Sequence, residues 1–259
     1  MNSHPFVLSS RRLSVLRFLF TAFTVALFSC SPARPQASDA HHHHAGMSML
    51  MDAPLSPAEQ AKLLSDKRES EFNHHLAGSF LFLAGLVILS EFIFRDRVAI
   101  ARYVWPICFL LSGLFVFVFS DTELWPFGPK PWIQGVITNH EVLQHKTFAV
   151  MLLVLGSVEL VRARNKWAAA WTAWVFPVCA VAGSILLLFH SHDAGMLGSD
   201  PEATMARIQM QHFSYSGVGL GIGVTKGLSE VRNKWQPVFN KVYPALMILL
   251  GVLLMAYVE

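Results

Sequence analysis

Gly156-Ser157-Val158-Glu159-Leu160-Val161-Arg162-Ala163-Arg164-Asn165-Lys166-Trp167 closes one apolar segment, and its pattern returns at Gly227-Leu228-Ser229-Glu230-Val231-Arg232-Asn233-Lys234-Trp235. In both, a glycine stands three residues before a glutamate, and Arg-Asn-Lys-Trp follows. A shorter echo, Leu89-Ser90-Glu91 with Arg95 behind it, ends the first apolar segment. After each echo a second apolar segment opens on an aromatic and a proline: Trp105-Pro106, Phe176-Pro177 and Tyr243-Pro244. A glycine follows six or seven residues later, at Gly113, Gly183 and Gly251. Proline is tolerated near a helix start because the amide it lacks would be unpaired there, so interfacial anchoring explains each pair taken singly. It does not explain why Cys108 and Cys179 both lie two residues past their prolines, or why three glutamates share one depth. Three tandem helical hairpins, produced by internal duplication, account for the whole pattern.

Composition supplies the environment. The chain is 53% hydrophobic and 14% charged, with mean hydropathy +0.44, where soluble domains average about 25% charged residues. Windows of about 19 residues give apolar stretches at roughly 76–94, 103–120, 147–161, 168–189, 213–229 and 242–258. The expected fold is therefore all-α, a polytopic membrane bundle of six transmembrane helices. The third is short, and the fifth carries five glycines between Phe213 and Gly227, which suits close packing inside the bundle. Net charge is only +3, and topology explains the basic residues, so nucleic acid is not an expected partner. No phosphate loop, zincin signature, serine nucleophile elbow or dinucleotide fingerprint occurs, and no catalytic residue is assigned.

Arg11, Arg12 and Arg17 precede the apolar run Phe18 to Phe28, the layout of a secretory signal. Ser38-Asp39-Ala40 offers a cleavage site; lipidation at Cys30 and a retained anchor are the alternatives. Residues 1–40 are read as signal and processing region, 41–73 as a His/Met-rich outer tail and 74–259 as the six-helix domain. One set of loops holds Arg95, Arg97, Arg102, Arg162, Arg164, Lys166, Arg232, Lys234 and Lys241, and the other only Lys130, Lys146 and Arg207. Basic loops face the cytoplasm, which predicts a bacterial inner-membrane protein with its tail and C-terminus in the periplasm. Cys108 and Cys179 then lie near the reducing side, where a disulfide is disfavoured. Glu91, Glu159 and Glu230 also sit on this side, with Arg95 and Arg162 at salt-bridge spacing from the first two. The preferred reading is interfacial ion pairing, with a proton or ion path as the alternative.

All twelve histidines except His4 fall on the opposite, outer side. Imidazole is the commonest transition-metal ligand. Singly, each is an interfacial side chain; together they predict a metal site assembled from helix ends. The candidate ligands are His75, Glu141, His145, His190, His192, Met210 and His212. Glu141 and His145 are four apart, so they share one face of a helix. A capture tail precedes the helices: His41, His42, His43 and His44, then Met47, Met49 and Met51. Imidazole suits copper(II), and thioether sulfur favours copper(I), so the expected metal is copper.

In these residue types and their layout, residues 41–259 resemble bacterial inner-membrane copper-resistance proteins of the CopD type. The resemblance implies a polytopic copper binder serving resistance, uptake or delivery to a periplasmic copper protein. A b-type cytochrome in quinone-linked electron transfer is the alternative, with haem held by His145 and His192 or by His75 and His212. A structural or chaperone subunit without its own ligand is the third reading.

Overall fold

The computed structural model describes residues 56–94, 100–164, 169–190, 201–231 and 234–259. The signal region, residues 41–55 of the tail and His192 lie outside the described residues. Seven α-helices and one 3-10 turn make up the described chain: α1 Pro57–Phe94, α2 Ala101–Phe119, α3 Trp132–Thr138, α4 His140–Ala163, the 3-10 turn Ala170–Trp174, α5 Val175–Leu188, α6 Pro201–Glu230 and α7 Gln236–Met255. No named strand occurs among the described residues; Leu124 and Lys130 form one isolated bridge.

Four stretches are long and apolar enough to cross a membrane: Pro57–Glu91, Ala101–Phe119, Ala170–Leu188 and Gln236–Met255. Along them Leu83, Leu86, Leu111, Leu114, Val178 and Leu249 are exposed apolar side chains suited to lipid. The other two long helices are more polar: α4 carries Glu141, His145, Lys146, Glu159 and Arg162, and α6 carries Arg207, His212, Lys226 and Glu230.

The first helix begins well before its apolar part. Residues 57–73, read from the sequence as tail, are helical and continuous with the span. Ala58, Glu59, Gln60, Ala61, Lys62, Leu63 and Leu64 are strong helix formers, and Lys67 pairs with Glu71 one turn on at 3.7 Å. Hydropathy marks where a helix enters lipid and is silent about a polar extension into water.

The six long helices form a closed ring. Each packs on its neighbour in chain order, α1 on α2, α2 on α4, α4 on α5, α5 on α6 and α6 on α7, and α7 returns to α1. Glycines set the closeness of three of these seams. A Cβ on Gly156 of α4 would stand 2.8 Å from the Pro106 carbonyl oxygen, one on Gly223 of α6 3.1 Å from that of Pro177, and one on Gly85 of α1 2.8 Å from that of Pro244. At each, the missing side chain lets one helix seat against the backbone beside a neighbour's proline. Gly251 of α7 also approaches α1, where a Cβ would be 2.7 Å from the Phe82 nitrogen and 2.8 Å from the Gly78 oxygen.

The aromatics before the prolines meet inside the ring. Phe176 lies 6.2 Å from Trp105 and 6.0 Å from Tyr243, ring centre to ring centre, and Phe109 joins edge-on at 5.7 Å. Phe176 and Tyr243 are buried, so these side chains are core and not interfacial anchors. Beside them stands an ion network. Arg162 bonds Glu159 at 2.6 Å and Glu230 at 3.3 Å, and Lys226 pairs with Glu230. The sequence-expected Glu159–Arg162 pair is thus present, whereas Glu230 finds its partners on α4 and one turn back on α6. Arg95 and Arg232 lie outside the described residues. Lys226 also lies over the Tyr243 ring at 5.1 Å, a cation–π contact.

Gly251→Ala should lower the thermal unfolding midpoint, with overpacking costing on the order of 1–3 kcal/mol. Gly217→Ala, whose added methyl would meet nothing within 4 Å, should leave the midpoint unchanged or raise it, since glycine costs about 0.5–1 kcal/mol in a helix interior. Differential scanning fluorimetry of the two variants in detergent checks the pair.

Candidate metal centre

The turn that starts α4 positions two candidate ligands. Asn139 caps the helix, its side-chain oxygen accepting from the Glu141 and Val142 amides at 2.8 and 3.2 Å. This fixes Glu141 in the first turn and places His145 one turn further along the same face. His190 comes from the C-terminal end of α5, just past Phe189. One ligand atom from each of Glu141, His145 and His190 lies within 4.8 Å of the other two. A tetrahedral ion at about 2.05 Å from its ligands needs them roughly 3.3 Å apart, so side-chain shifts on the order of 1 Å close the group around a metal.

Both imidazoles are already oriented. The Nδ1 of His145 stands 2.8 Å from Asp121 Oδ1, and the Nδ1 of His190 stands 2.6 Å from Gln144 Oε1. A carboxylate and an amide oxygen only accept, so each Nδ1 donates its proton and Nε2 carries the lone pair. The Gln144 amide is itself fixed, because its nitrogen donates to the Phe189 carbonyl at 3.1 Å and so turns its oxygen to His190. Metal-binding histidines need this arrangement, in which a second group holds the far side of the ring.

Asp121 is the hub of this end of the bundle. It is 5% exposed and accepts from His145, from Lys146 Nζ at 2.6 Å and from Ser120 Oγ at 2.5 Å. Burial pushes its carboxyl up, but the hydrogen bond from His145 and that ring's charge when protonated, with the bonds from Lys146 and Ser120, outweigh burial and hold its pKa below the ordinary carboxylate value. Lys146 is anchored in turn by the Phe117 carbonyl at 2.9 Å.

A row of imidazoles extends from this group. His190 lies 5.5 Å from His145 and 5.1 Å from His212, and His212 lies 6.0 Å from His74, all between ring centres. His212 is 3% exposed. His74 stacks on Tyr257 at 3.9 Å.

The remaining expected ligands are placed elsewhere. His75 gives its Nε2 to the Tyr257 carbonyl at 3.0 Å and helps hold the last residues of the chain. Tyr257 is fully buried and donates to Glu259 at 2.9 Å, while Gln211 brackets Val258 through both its amide groups. Met210 is 72% exposed and turned away from the imidazole row. His192 and the tail, His41 to His44 with Met47, Met49 and Met51, lie outside the described residues. Sequence reasoning missed Asp121 and Gln144. A carboxylate at the mouth of an apolar segment and an amide next to His145 were the available signals.

No protein-family model, curated protein or solved structure matches this chain.

Asp121 has a depressed folded pKa, so its contribution to stability is complete above the unfolded value of about 3.9. That contribution disappears as pH falls through the lower folded value. The wild-type unfolding midpoint should therefore fall more steeply below about pH 4 than that of Asp121→Asn. The same variant should weaken metal binding about 10–100-fold, read by isothermal titration with copper(II) at neutral pH.

Proposed function

We propose that this chain is a six-span inner-membrane protein, built as three hairpins, that binds copper(II) at Glu141, His145 and His190 on its outer face. It serves copper resistance, uptake or delivery to a periplasmic copper protein, as its likeness in character to CopD-type proteins implies. The observation that carries the reading is the pairing of each imidazole Nδ1 with a fixed oxygen acceptor, Asp121 for His145 and Gln144 for His190. Two imidazoles and one carboxylate form a donor set whose divalent-ion affinity peaks at copper(II). His212, next in the row, packs edge-on against His190 beside this three-residue group. The tail of His41 to His44 with Met47, Met49 and Met51 supplies the first capture of the ion, its thioethers accommodating the reduced form.

Six spans are supported by the closed ring, in which α4 and α6 turn Glu159, Lys226 and Ser229 inward between more apolar neighbours. Tandem duplication is supported by the meeting of Trp105, Phe176 and Tyr243. The basic loops put the inner ends in the cytoplasm.

Untagged protein purified in detergent should carry one copper per chain by plasma mass spectrometry. His145→Ala and His190→Ala should abolish it, whereas His75→Ala should retain it. Deletion of residues 41–51 should slow loading without removing the site. Copper-free protein that takes up no copper, or uptake indifferent to His145→Ala and His190→Ala, overturns the reading; a Soret band in the purified protein would replace it with haem.

A further inference from the structure

The ring of helices encloses a chamber. Its volume is about 800 Å³, within the range of roughly 300–1,000 Å³ typical of small-molecule sites. All six long helices line it, and its wall changes character along the axis. At the inner end lie Cys108, Phe109, Phe176, Cys179 and Met247, and the ring contacts of Phe176 with Trp105 and Tyr243 close the floor. Midway stand Phe80, Phe148 and Leu152, with Ser112 and Ser184 as sparse polar groups. At the outer end the wall is polar, with His145, His190 and Tyr215 among carboxylates.

Those charges select the occupant. Six carboxylates line the chamber (Asp66, Glu69, Asp121, Glu123, Glu141 and Glu259) against two lysines, Lys62 and Lys130. With histidine neutral and Asp121 offset by Lys146, its partner at 2.6 Å, the formal balance is −3, which repels the head of a fatty acid or an anionic phospholipid. A neutral head is accepted. It needs hydrogen-bonding oxygens to face the imidazole and phenol groups, and a flat ring gains from the surrounding phenylalanines. An apolar chain then buries itself in the aromatic and sulfur-lined end.

We propose that this chamber binds an isoprenoid quinone or quinol, its ring below the His145 and His190 cluster and its chain directed toward Phe109, Phe176 and Met247. The proposal goes beyond the metal reading and does not depend on it, since the chamber is formed by the protein alone.

The test uses the full chain, treated with EDTA and embedded in phosphatidylcholine nanodiscs. Decylubiquinone is the probe and palmitate the anionic comparator. Saturable binding of one decylubiquinone per chain, at least tenfold tighter than palmitate, is the expected result. Gly183→Leu projects bulk into the chamber from a position whose Cβ would make only ordinary contacts, 3.5 Å to Phe148 and 3.6 Å to Met151. It should weaken decylubiquinone at least tenfold while helical circular dichroism is unchanged. Absence of saturable binding, palmitate binding as tightly, or unchanged affinity in a folded Gly183→Leu overturns the proposal. Should that variant not fold, the wild-type preference for decylubiquinone over palmitate decides. Because no metal is present, failure here leaves the copper reading standing, and loss of copper binding leaves this one standing.

Discussion

Backbone-to-backbone approach at glycine is the constraint on which the ring depends. Gly85, Gly156 and Gly223 each meet a carbonyl beside a neighbouring helix's proline, and Gly251 meets Gly78 and Phe82 across the closing seam. In lipid, helices gain little from apolar contact as such, and van der Waals fit between small residues drives association. Six helices held this way stand around an axis without collapsing onto it. The enclosed space follows from the seams, and so does the sheltering of α4 and α6, whose charged side chains would be costly against hydrocarbon. Arg162, Glu159, Glu230 and Lys226 compensate one another on the inner half, and Asp121 with His145 and Lys146 does so at the outer end.

The two halves of the axis therefore differ in kind. Inside, charges are paired off against each other next to an aromatic floor. At the other end, Asp121 and Gln144 hold the Nδ1 atoms of His145 and His190 beside Glu141. A single turn of α4 does much of this, because Asn139 caps the helix and Glu141, Gln144 and His145 then occupy three positions on nearly one face. Gln144 lies between the two histidines in function, bonding His190 with its oxygen while the Phe189 carbonyl holds its nitrogen.

Much of this was legible in the residues. The aromatic-proline pairs marked the second helix of each hairpin, although Pro106 and Pro244 lie inside their helices and not at the starts; Glu159 and Arg162 were spaced to bond, and Glu141 and His145 were spaced to share a face. What escaped was decided by helix rotation and by distant partners. His74 and His75 differ by about 100° around α1, and Met210 and His212 by about 200° around α6, so proximity in sequence could not make both members of either pair ligands. His74 and His212 face the imidazole row, while His75 and Met210 do not. Asp121 carried no periodic signal, since its importance comes from a helix twenty residues later in the chain. The polar start of α1 had no hydropathy contrast to reveal it.

Five of the six seams join helices that follow one another along the chain, and only the sixth unites the first with the last. This order lets each helix pack on the one before it around the circle, with few long-range contacts needed until the end. Without α7, the circle is an open arc with its polar lining uncovered on one side. The Gly78–Gly251 seam is then a clasp, and a chain cut before residue 236 would leave that lining uncovered.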